Sequence, residues 1–179
     1  MIIACLGWGS LVWDPRALPI RGKWFEDGPF LPIEFARQSS DGRITLVIVK
    51  DKPLVKSLWT MFTSEGVKGA TASLAEREGT LERNIGYWHR DGNSGGEFND
   101  IVSKWAINKG LDAVVWTNLP PKFGNENGKV PTAEEVVHYL AGLPVEKQRH
   151  CKDYILKAPR QIDTEYRRVI MSKLNWSHI

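Results

Sequence analysis

The first half of the chain is dominated by short apolar or alternating segments that predict β-strands. Residues 2–6 form a continuous apolar run that ends at Gly7, which is typical of a buried strand. Residues 31–37 alternate between apolar and polar side chains, and residues 44–49 are rich in β-branched residues. The turn signal between these two segments predicts a hairpin. Further predicted strands are residues 55–62, 85–89 and 111–116.

Helical patterns prevail in the second half. Apolar side chains at helical spacing predict a helix over residues 98–106, and Gly110 supplies the usual C-terminal stop. Thr132 and Glu135 form a capping-box pattern, which predicts a helix that starts there and ends near Gly142. The other predicted helices cover about residues 65–77 and the chain after residue 142, with a break around Pro159 and a last helix over about residues 164–174. Loops are predicted over residues 15–22, 91–96 and 118–131, and the last of these is either a lid or a slack connection.

The order of these elements favours a mixed α+β architecture. Strands come early and helices late, and no regular βαβ alternation is present, so a doubly wound sheet is disfavoured. A length of 179 residues fits one domain with a single sizeable core. Hydrophobic residues make up 42% and charged residues 25% of the chain, a globular rather than a disordered balance.

Charge and cysteine usage exclude few function classes but indicate a location. The net charge of +3 is too small to argue for nucleic acid, and the Lys- and Arg-rich C-terminal segment is interpreted as a solvated helix face. Cys5 and Cys151 form no metal or redox spacing and no disulfide framework, which indicates a reducing compartment. The chain start lacks signal-peptide features, and no apolar run approaches the roughly 18 residues of a membrane span. We therefore expect a cytoplasmic protein with no membrane association.

The segment after the first predicted strand is the first candidate for chemistry, and we name it the glycine turn. It consists of Gly7, Trp8, Gly9, Ser10 and Leu11. Two glycines around one bulky residue let the backbone approach a ligand and leave N–H groups free to bind an anion. The alternative is an ordinary turn at the end of a strand. Val12 in place of a third glycine argues against a dinucleotide fingerprint, and Trp8 in place of a first glycine argues against a nucleophile elbow.

A second candidate is Glu78, at the predicted end of a helix. A partly buried carboxylate there would be a usable base, whereas the alternative is a solvated helix end. Arg37 and Arg43 suit either a planar fork for a substrate carboxylate or surface pairing. Glu34 points either into the interior or out to solvent. The four histidines, His89, His138, His150 and His178, show no metal-ligand spacing, so we expect no metal site.

The glycine turn and the residues after it resemble the signature of the γ-glutamylcyclotransferase superfamily, most of all that of its ChaC-type branch, which is specific for glutathione. The matching positions are Gly7, Gly9, Ser10, Leu11, Trp13 and Pro15. Trp8 stands where the family has tyrosine. A second block resembles the family's aromatic-basic strand and turn at Phe35, Arg37, Ser39, Gly42, Arg43 and Leu46. The family's catalytic glutamate is matched by Glu78, which lies between Arg77 and Gly79 and is followed by Gly86 and Tyr87.

This resemblance implies a fold and a reaction. The fold would be a mixed β-barrel of about five to seven strands flanked by helices. A single domain would span residues 1–179, with a barrel core over about 1–117 and a helical C-terminal extension over about 132–179. The reaction would be attack of a γ-glutamyl α-amine on its own side-chain carbonyl, which releases 5-oxoproline and an amine or peptide.

The resemblance also assigns roles to residues. Glu78 would be the general acid and base, and the glycine turn, Arg37 and Tyr87 would bind the small-molecule γ-glutamyl substrate. No metal, nucleotide or redox cofactor is implied.

Two other functions remain open at this point. A binding module of the same fold for a small anionic metabolite or a peptide end is suggested by Trp8 in place of tyrosine. An adaptor for nucleic acid or protein would use the basic C-terminal helices, with Arg167 and Arg168 as its test residues, and its binding would depend on salt. The leaving group and the oligomeric state are not encoded in any pattern that we find.

Overall fold

The computed structural model describes residues 1–177. The strands are β1 (Ile3–Gly7), β2 (Ile20–Phe25), β3 (Phe30–Leu31), β4 (Ile33–Gln38), β5 (Ile44–Ile48), β6 (Val55–Lys56), β7 (Leu58–Phe62), β8 (Ile85–His89), β9 (Ser94–Gly95), β10 (Ala113–Thr117), β11 (Lys122–Phe123) and β12 (Glu126–Asn127). The helices are α1 (Val67–Glu78), α2 (Asn99–Asn108), α3 (Ala133–Ala141), α4 (Val145–Lys157) and α5 (Glu165–Lys173). These elements confirm the predicted α+β class.

The chain forms two compact units, each assembled from two stretches of sequence. The first unit combines residues 1–31 and 56–119, and the second combines residues 32–55 with the chain from residue 120 onward. The hairpin of β4 and β5 therefore belongs to the same unit as the C-terminal helices. The expected single domain, with a barrel core up to about residue 117 and an extension from about residue 132, stays a prediction.

A six-stranded sheet forms the first unit, in the linear order β2-β7-β1-β10-β8-β9. β1 runs parallel to β10 and antiparallel to β7. Every residue of β1 is buried, which explains why this strand is a continuous apolar run. Helix α1 packs on one face of the sheet, where Ala70 and Leu74 join a core cluster with Ile3, Cys5 and Val115.

A four-stranded sheet with three helices forms the second unit. Its order is β12-β11-β4-β5, and β4 and β5 form the predicted antiparallel hairpin. Helix α5 packs against β4, α4 against β5, and α3 against α5. The capping box that begins α3 is present, since Thr132 and Glu135 bond each other's backbone N–H groups.

Three predicted loops are wrong in part. In the predicted loop 91–96, Ser94 and Gly95 form β9, which pairs with β8. Strand β2 begins at Ile20, inside the predicted loop 15–22. Gly22, which indicated a loop in the sequence, instead lies within this strand with a positive φ of 87°, at an irregularity in the pairing of β2 with β7. A glycine that marks a bulge has the same sequence signature as one that marks a loop. Within the predicted loop 118–131, β11 and β12 form a short hairpin, and Lys122 of β11 pairs with Arg37 of β4. That pairing argues against a slack connection. In the part of the chain that the structure describes, no helix is long and apolar enough to cross a bilayer.

Candidate functional site

The glycine turn follows directly after β1 and is held by its own backbone and by burial. The N–H of Val12 donates to the carbonyl of Gly9 at 2.9 Å, and that of Asp14 donates to the carbonyl of Ser10 at 2.8 Å. Trp8 and Leu11 are both buried, with Trp8 only 3% exposed. Two apolar anchors therefore fix the conformation of the turn, and Ser10 between them is partly exposed.

Gly7 is required by packing inside the protein. A Cβ at this position would lie 2.5 Å from the ring of Trp24, so any side chain would displace that indole. Trp8 likewise belongs to the buried core rather than to an open surface. Direct contact of Gly7 or Trp8 with a ligand stays a prediction.

The amide groups of the glycine turn are the feature most suited to an anion. Among residues 1–177, the N–H groups of Gly9, Ser10 and Leu11 make no hydrogen bond to the protein. Unpaired amides at the start of a turn are donors for a carboxylate or a developing oxyanion.

Arg77 connects the glycine turn to the end of helix α1. Its Nη1 donates to Oε1 of Glu78 at 2.6 Å, and its Nη2 donates to Oγ of Ser10 at 3.3 Å and to the carbonyl of Asp14 at 2.5 Å. The Arg77 side chain is only 5% exposed. Glu78 and Ser10, which the sequence predicted to share a site, therefore contact the same guanidinium group.

Glu78 is the last residue of α1, and its backbone position is set by the residue that follows. Gly79 adopts the left-handed conformation with φ of 61°, which ends the helix. The Glu78 side chain is 19% exposed, and Oε2 has no bonding partner among residues 1–177. This carboxylate thus keeps one free acceptor oxygen that solvent can reach.

The charges of Arg77 and Glu78 both affect the pKa of the Cys5 thiol in β1. Burial raises the pKa of this thiol, the nearby charge of Glu78 raises it further, and the charge of Arg77 acts in the opposite direction. A free cysteine that is buried and held in its thiol form is an inert part of the core. It also places the Arg77–Glu78 pair close to β1.

Tyr87 lies on β8, where it pairs with Val115 of β10. It is half-buried and packs against the core cluster that also contains Leu11 and Cys5. A Cβ on Gly95 would lie 2.7 Å from the Tyr87 ring, so this glycine lets β9 approach the aromatic side chain. The predicted contact of Tyr87 with a substrate is untested and stays a prediction.

Arg37 and Arg43 lie in the second unit and use their guanidinium groups on nearby protein groups. Arg37 donates to the carbonyl of Pro120 at 2.7 Å, and burial lowers the pKa of its guanidinium. Arg43 pairs with Asp41 at 2.7 Å, which is the surface pairing that the sequence left open. Substrate binding by Arg37 stays a prediction.

Glu34 also lies in the second unit and takes the inward of its two expected orientations. Its side chain is 1% exposed. Oε1 accepts from the hydroxyl of Thr164 at 2.5 Å and from the N–H of Phe35 at 2.8 Å, while Oε2 accepts from the N–H of Tyr166 at 3.2 Å. Burial raises the pKa of this carboxyl, although these bonds and Lys52 act against the rise.

The basic C-terminal helices divide into a buried and an exposed arginine. Arg167 is buried and donates to the carbonyls of Ala158, Pro159 and Ile162. Arg168, in contrast, has a side chain that is 65% exposed. Of the two test residues of the adaptor hypothesis, only Arg168 is therefore exposed, because backbone carbonyls use the guanidinium of Arg167 inside the protein.

A metal site would need several ligating side chains close together. Within residues 1–177, no group of three or more His, Cys, Asp or Glu side chains is arranged to hold a metal ion. His178 lies outside the described residues.

Sequence reasoning missed the role of Arg77. Neighbouring residues on a helix normally point about 100° apart, so the sequence gives no reason to expect that Arg77 and Glu78 form a pair. Its sequence signals are its place before Glu78 in the matched motif and a basic side chain in the last turn of the helix, two residues before Gly79.

Comparison with known proteins supports the fold. No protein-family model matches this sequence, and no curated protein matches it either. Among solved structures, the chain is similar to a γ-glutamyl cyclotransferase from yeast that is specific to glutathione, with a TM-score of 0.52 and 13% identity. The alignment covers 98% of this chain and 98% of that one. At this identity the likeness shows the fold alone, and it confirms the predicted γ-glutamylcyclotransferase-like fold class.

Proposed function

We propose that this protein is a γ-glutamyl cyclotransferase-like enzyme that releases 5-oxoproline from a γ-glutamyl amine, peptide or glutathione-like compound. The observation that carries the proposal is the shared guanidinium of Arg77, which brings the Glu78 carboxylate and the Ser10 hydroxyl next to each other. The fold that the chain shares with a glutathione-specific yeast cyclotransferase supports the same reading. The fit across nearly the whole length of both chains makes a chance likeness of a small motif a poor explanation.

The reaction needs a base, an anion site and a folded substrate. The Glu78 carboxylate accepts a proton from the substrate's α-ammonium group, and the neutral amine then attacks the γ-carbonyl carbon. A carbon–nitrogen bond closes the five-membered ring while the original amide bond breaks. Glu78 returns that proton to the departing nitrogen as the amide bond breaks. The ring nitrogen then loses its second proton through the same carboxylate, and the released amine takes it up and leaves as an ammonium ion.

The glycine turn would stabilise the charge that develops during this attack. The free N–H groups of Gly9, Ser10 and Leu11 would bind the carbonyl oxygen as it becomes an oxyanion, or the substrate carboxylate. Both reacting groups belong to one molecule, so the protein has only to hold the substrate in the attacking conformation. Tyr87, in the same unit as the glycine turn, is a further substrate-binding residue of this proposal.

The direct test is product formation from a panel of γ-glutamyl amines, γ-glutamyl dipeptides and glutathione, with 5-oxoproline measured by mass spectrometry. We expect turnover of at least one compound and a loss of about 100-fold or more in kcat for Glu78→Gln. Glu76→Gln is the matched control, since it makes the same change on the exposed side of α1. Wild-type inactivity on the whole panel, or full activity of Glu78→Gln, would contradict the proposal.

A non-catalytic binding module of the same fold is the second candidate. It is favoured by Trp8, which stands where the related signature has tyrosine and whose ring is buried. Thermal-shift titration with γ-glutamyl compounds separates the two functions: a raised melting temperature without 5-oxoproline supports binding alone.

A further inference from the structure

We propose that Arg77 is a positioning residue that sets which way Ser10 and Glu78 can hydrogen-bond in the site. This inference rests on the proposed cyclotransferase function and extends it to a residue that acts through its neighbours. The basis is the set of contacts from one guanidinium to Glu78, Ser10 and the carbonyl of Asp14.

The burial of Arg77 argues against a direct role in binding a substrate carboxylate. Its side chain is 5% exposed, and both terminal nitrogens donate to protein acceptors. The third nitrogen, Nε, is buried and has no partner among residues 1–177. An enclosed guanidinium of this kind acts on the groups around it rather than on a molecule arriving from solvent.

The direction of the hydrogen bonds follows from the chemistry of arginine. A guanidinium only donates, so both Ser10 and Glu78 must accept from it. Ser10 uses a lone pair on Arg77, and its own O–H hydrogen is left without an acceptor among residues 1–177. Glu78 uses Oε1 and keeps Oε2 free. Arg77 therefore leaves one donor, at Ser10, and one acceptor, at Glu78, side by side.

That pair matches the two charges that change during the proposed reaction. The free O–H of Ser10 suits an oxygen that becomes negative, and the free Oε2 suits a nitrogen that loses its proton. If Arg77 were lost, the two side chains would no longer be held in place, although the substrate could still enter. The expected effect is on kcat more than on KM, because the interaction serves the transition state.

The test compares Arg77→Lys, Arg77→Met and the control Arg83→Met, which removes an exposed arginine shortly after the same helix. Arg77→Lys keeps the positive charge at the helix end but cannot form a planar fork. We expect kcat to fall about 100-fold in Arg77→Met, as for a misplaced catalytic group, and to be only partly restored in Arg77→Lys, with KM little changed. Full kcat in Arg77→Lys would show that charge alone matters and would overturn the positioning role.

A second measurement needs no substrate and separates this inference from the proposed function. Thermal unfolding of Arg77→Lys, Glu78→Gln and the double variant forms a double-mutant cycle. We expect the melting temperature of the double variant to fall by less than the sum of the two single shifts. Additive shifts would overturn the contact between the residues even in an active enzyme. If the wild-type protein makes no 5-oxoproline, the proposed function fails, and the cycle alone decides whether Arg77 holds Glu78.

Discussion

Glu78 in the first unit is partly buried and Glu34 in the second is fully buried, and their carboxylates are held in different ways. Glu78 contacts a guanidinium through one oxygen, and its second oxygen has no partner among residues 1–177. Glu34 uses both oxygens, with acceptor bonds to the hydroxyl of Thr164 and to the N–H groups of Phe35 and Tyr166. Glu78 is 19% exposed at its side chain, whereas Glu34 is 1% exposed overall.

The difference shows why burial by itself is a poor guide to a reactive carboxylate. Glu34 is the more deeply buried of the two, and its pKa is raised by that burial, yet no oxygen of it is free to meet a substrate. Its bonds join strand β4 to the start of α5, where a carboxylate also interacts well with the helix dipole. Glu78 is less buried but keeps an open acceptor, and it shares the guanidinium of Arg77 with the hydroxyl of Ser10. Free bonding capacity therefore separates the candidate catalytic group from the structural one.

The largest expected effect is on catalysis, and it compares the same side-chain change at both positions. Glu78→Gln should lower kcat by about 10² to 10⁴, since the amide cannot accept the amine proton. Glu34→Gln should leave kcat close to that of the wild type at a temperature where the protein is folded. Steady-state assays of 5-oxoproline release measure both variants. A folded Glu34→Gln protein with kcat as low as Glu78→Gln would break the comparison.

The next largest effect is on stability, where we expect Glu34 to matter more than Glu78. Glu34→Ala leaves the Thr164 hydroxyl and two backbone N–H groups without their acceptor inside the protein. We expect the free energy of unfolding to fall by about 3 kcal/mol, as for the loss of buried bonds to a charged group. Urea unfolding followed by circular dichroism measures the change. Glu76→Ala is the control at an exposed position, and a Glu34→Ala protein as stable as this control would contradict the structural role.

Features that depend on neighbouring residues were predictable from the sequence. Strand β8 covers the predicted residues 85–89, the Thr132–Glu135 capping box begins α3, and the helices break around Pro159 as expected. In each case the signal and the structure lie within a few residues of each other. The glycine turn and Glu78 were also selected through a local motif, and their roles in binding and catalysis stay predictions.

Contacts between distant parts of the chain were not predictable. Arg77 and Ser10 are 67 positions apart, and Glu34 and Thr164 are 130 positions apart. Nothing in either segment indicates its partner, because pairing at that distance is decided by the packing of whole elements. The inward and outward orientations of Glu34 could not be distinguished from the sequence for the same reason. Strand alternation gives two faces, but only the position of α5 decides which face is covered.

A smaller stability effect is expected at the partner of Glu34. Thr164 donates to Glu34 and accepts from the N–H of Arg167, so it both caps α5 and satisfies the buried carboxylate. Thr164→Val keeps the shape but loses both bonds, and we expect the free energy of unfolding to fall by about 1 to 2 kcal/mol. Thr164→Ser keeps the hydroxyl and should recover most of the loss in the same urea experiment. A Thr164→Val protein as stable as the wild type would contradict this double role of the hydroxyl.

The smallest expected effect is a pH dependence that belongs to Glu34. Its pKa in the folded protein is raised from the ordinary value of 4.5, so the folded state binds this proton more tightly than the unfolded chain does. Protonated Glu34 therefore stabilises the folded state fully below pH 4.5. This contribution to the free energy of unfolding should be lost as the pH rises from 4.5 through the raised pKa of Glu34 in the folded protein. Glu34→Gln has no such proton, so urea unfolding at several pH values should show the wild type losing stability relative to this variant as the pH rises. The opposite trend would mean that the Thr164 and amide hydrogen bonds, together with Lys52, outweigh burial and favour the ionised carboxylate. The contrast between the two carboxylates would then reduce to the free oxygen of Glu78.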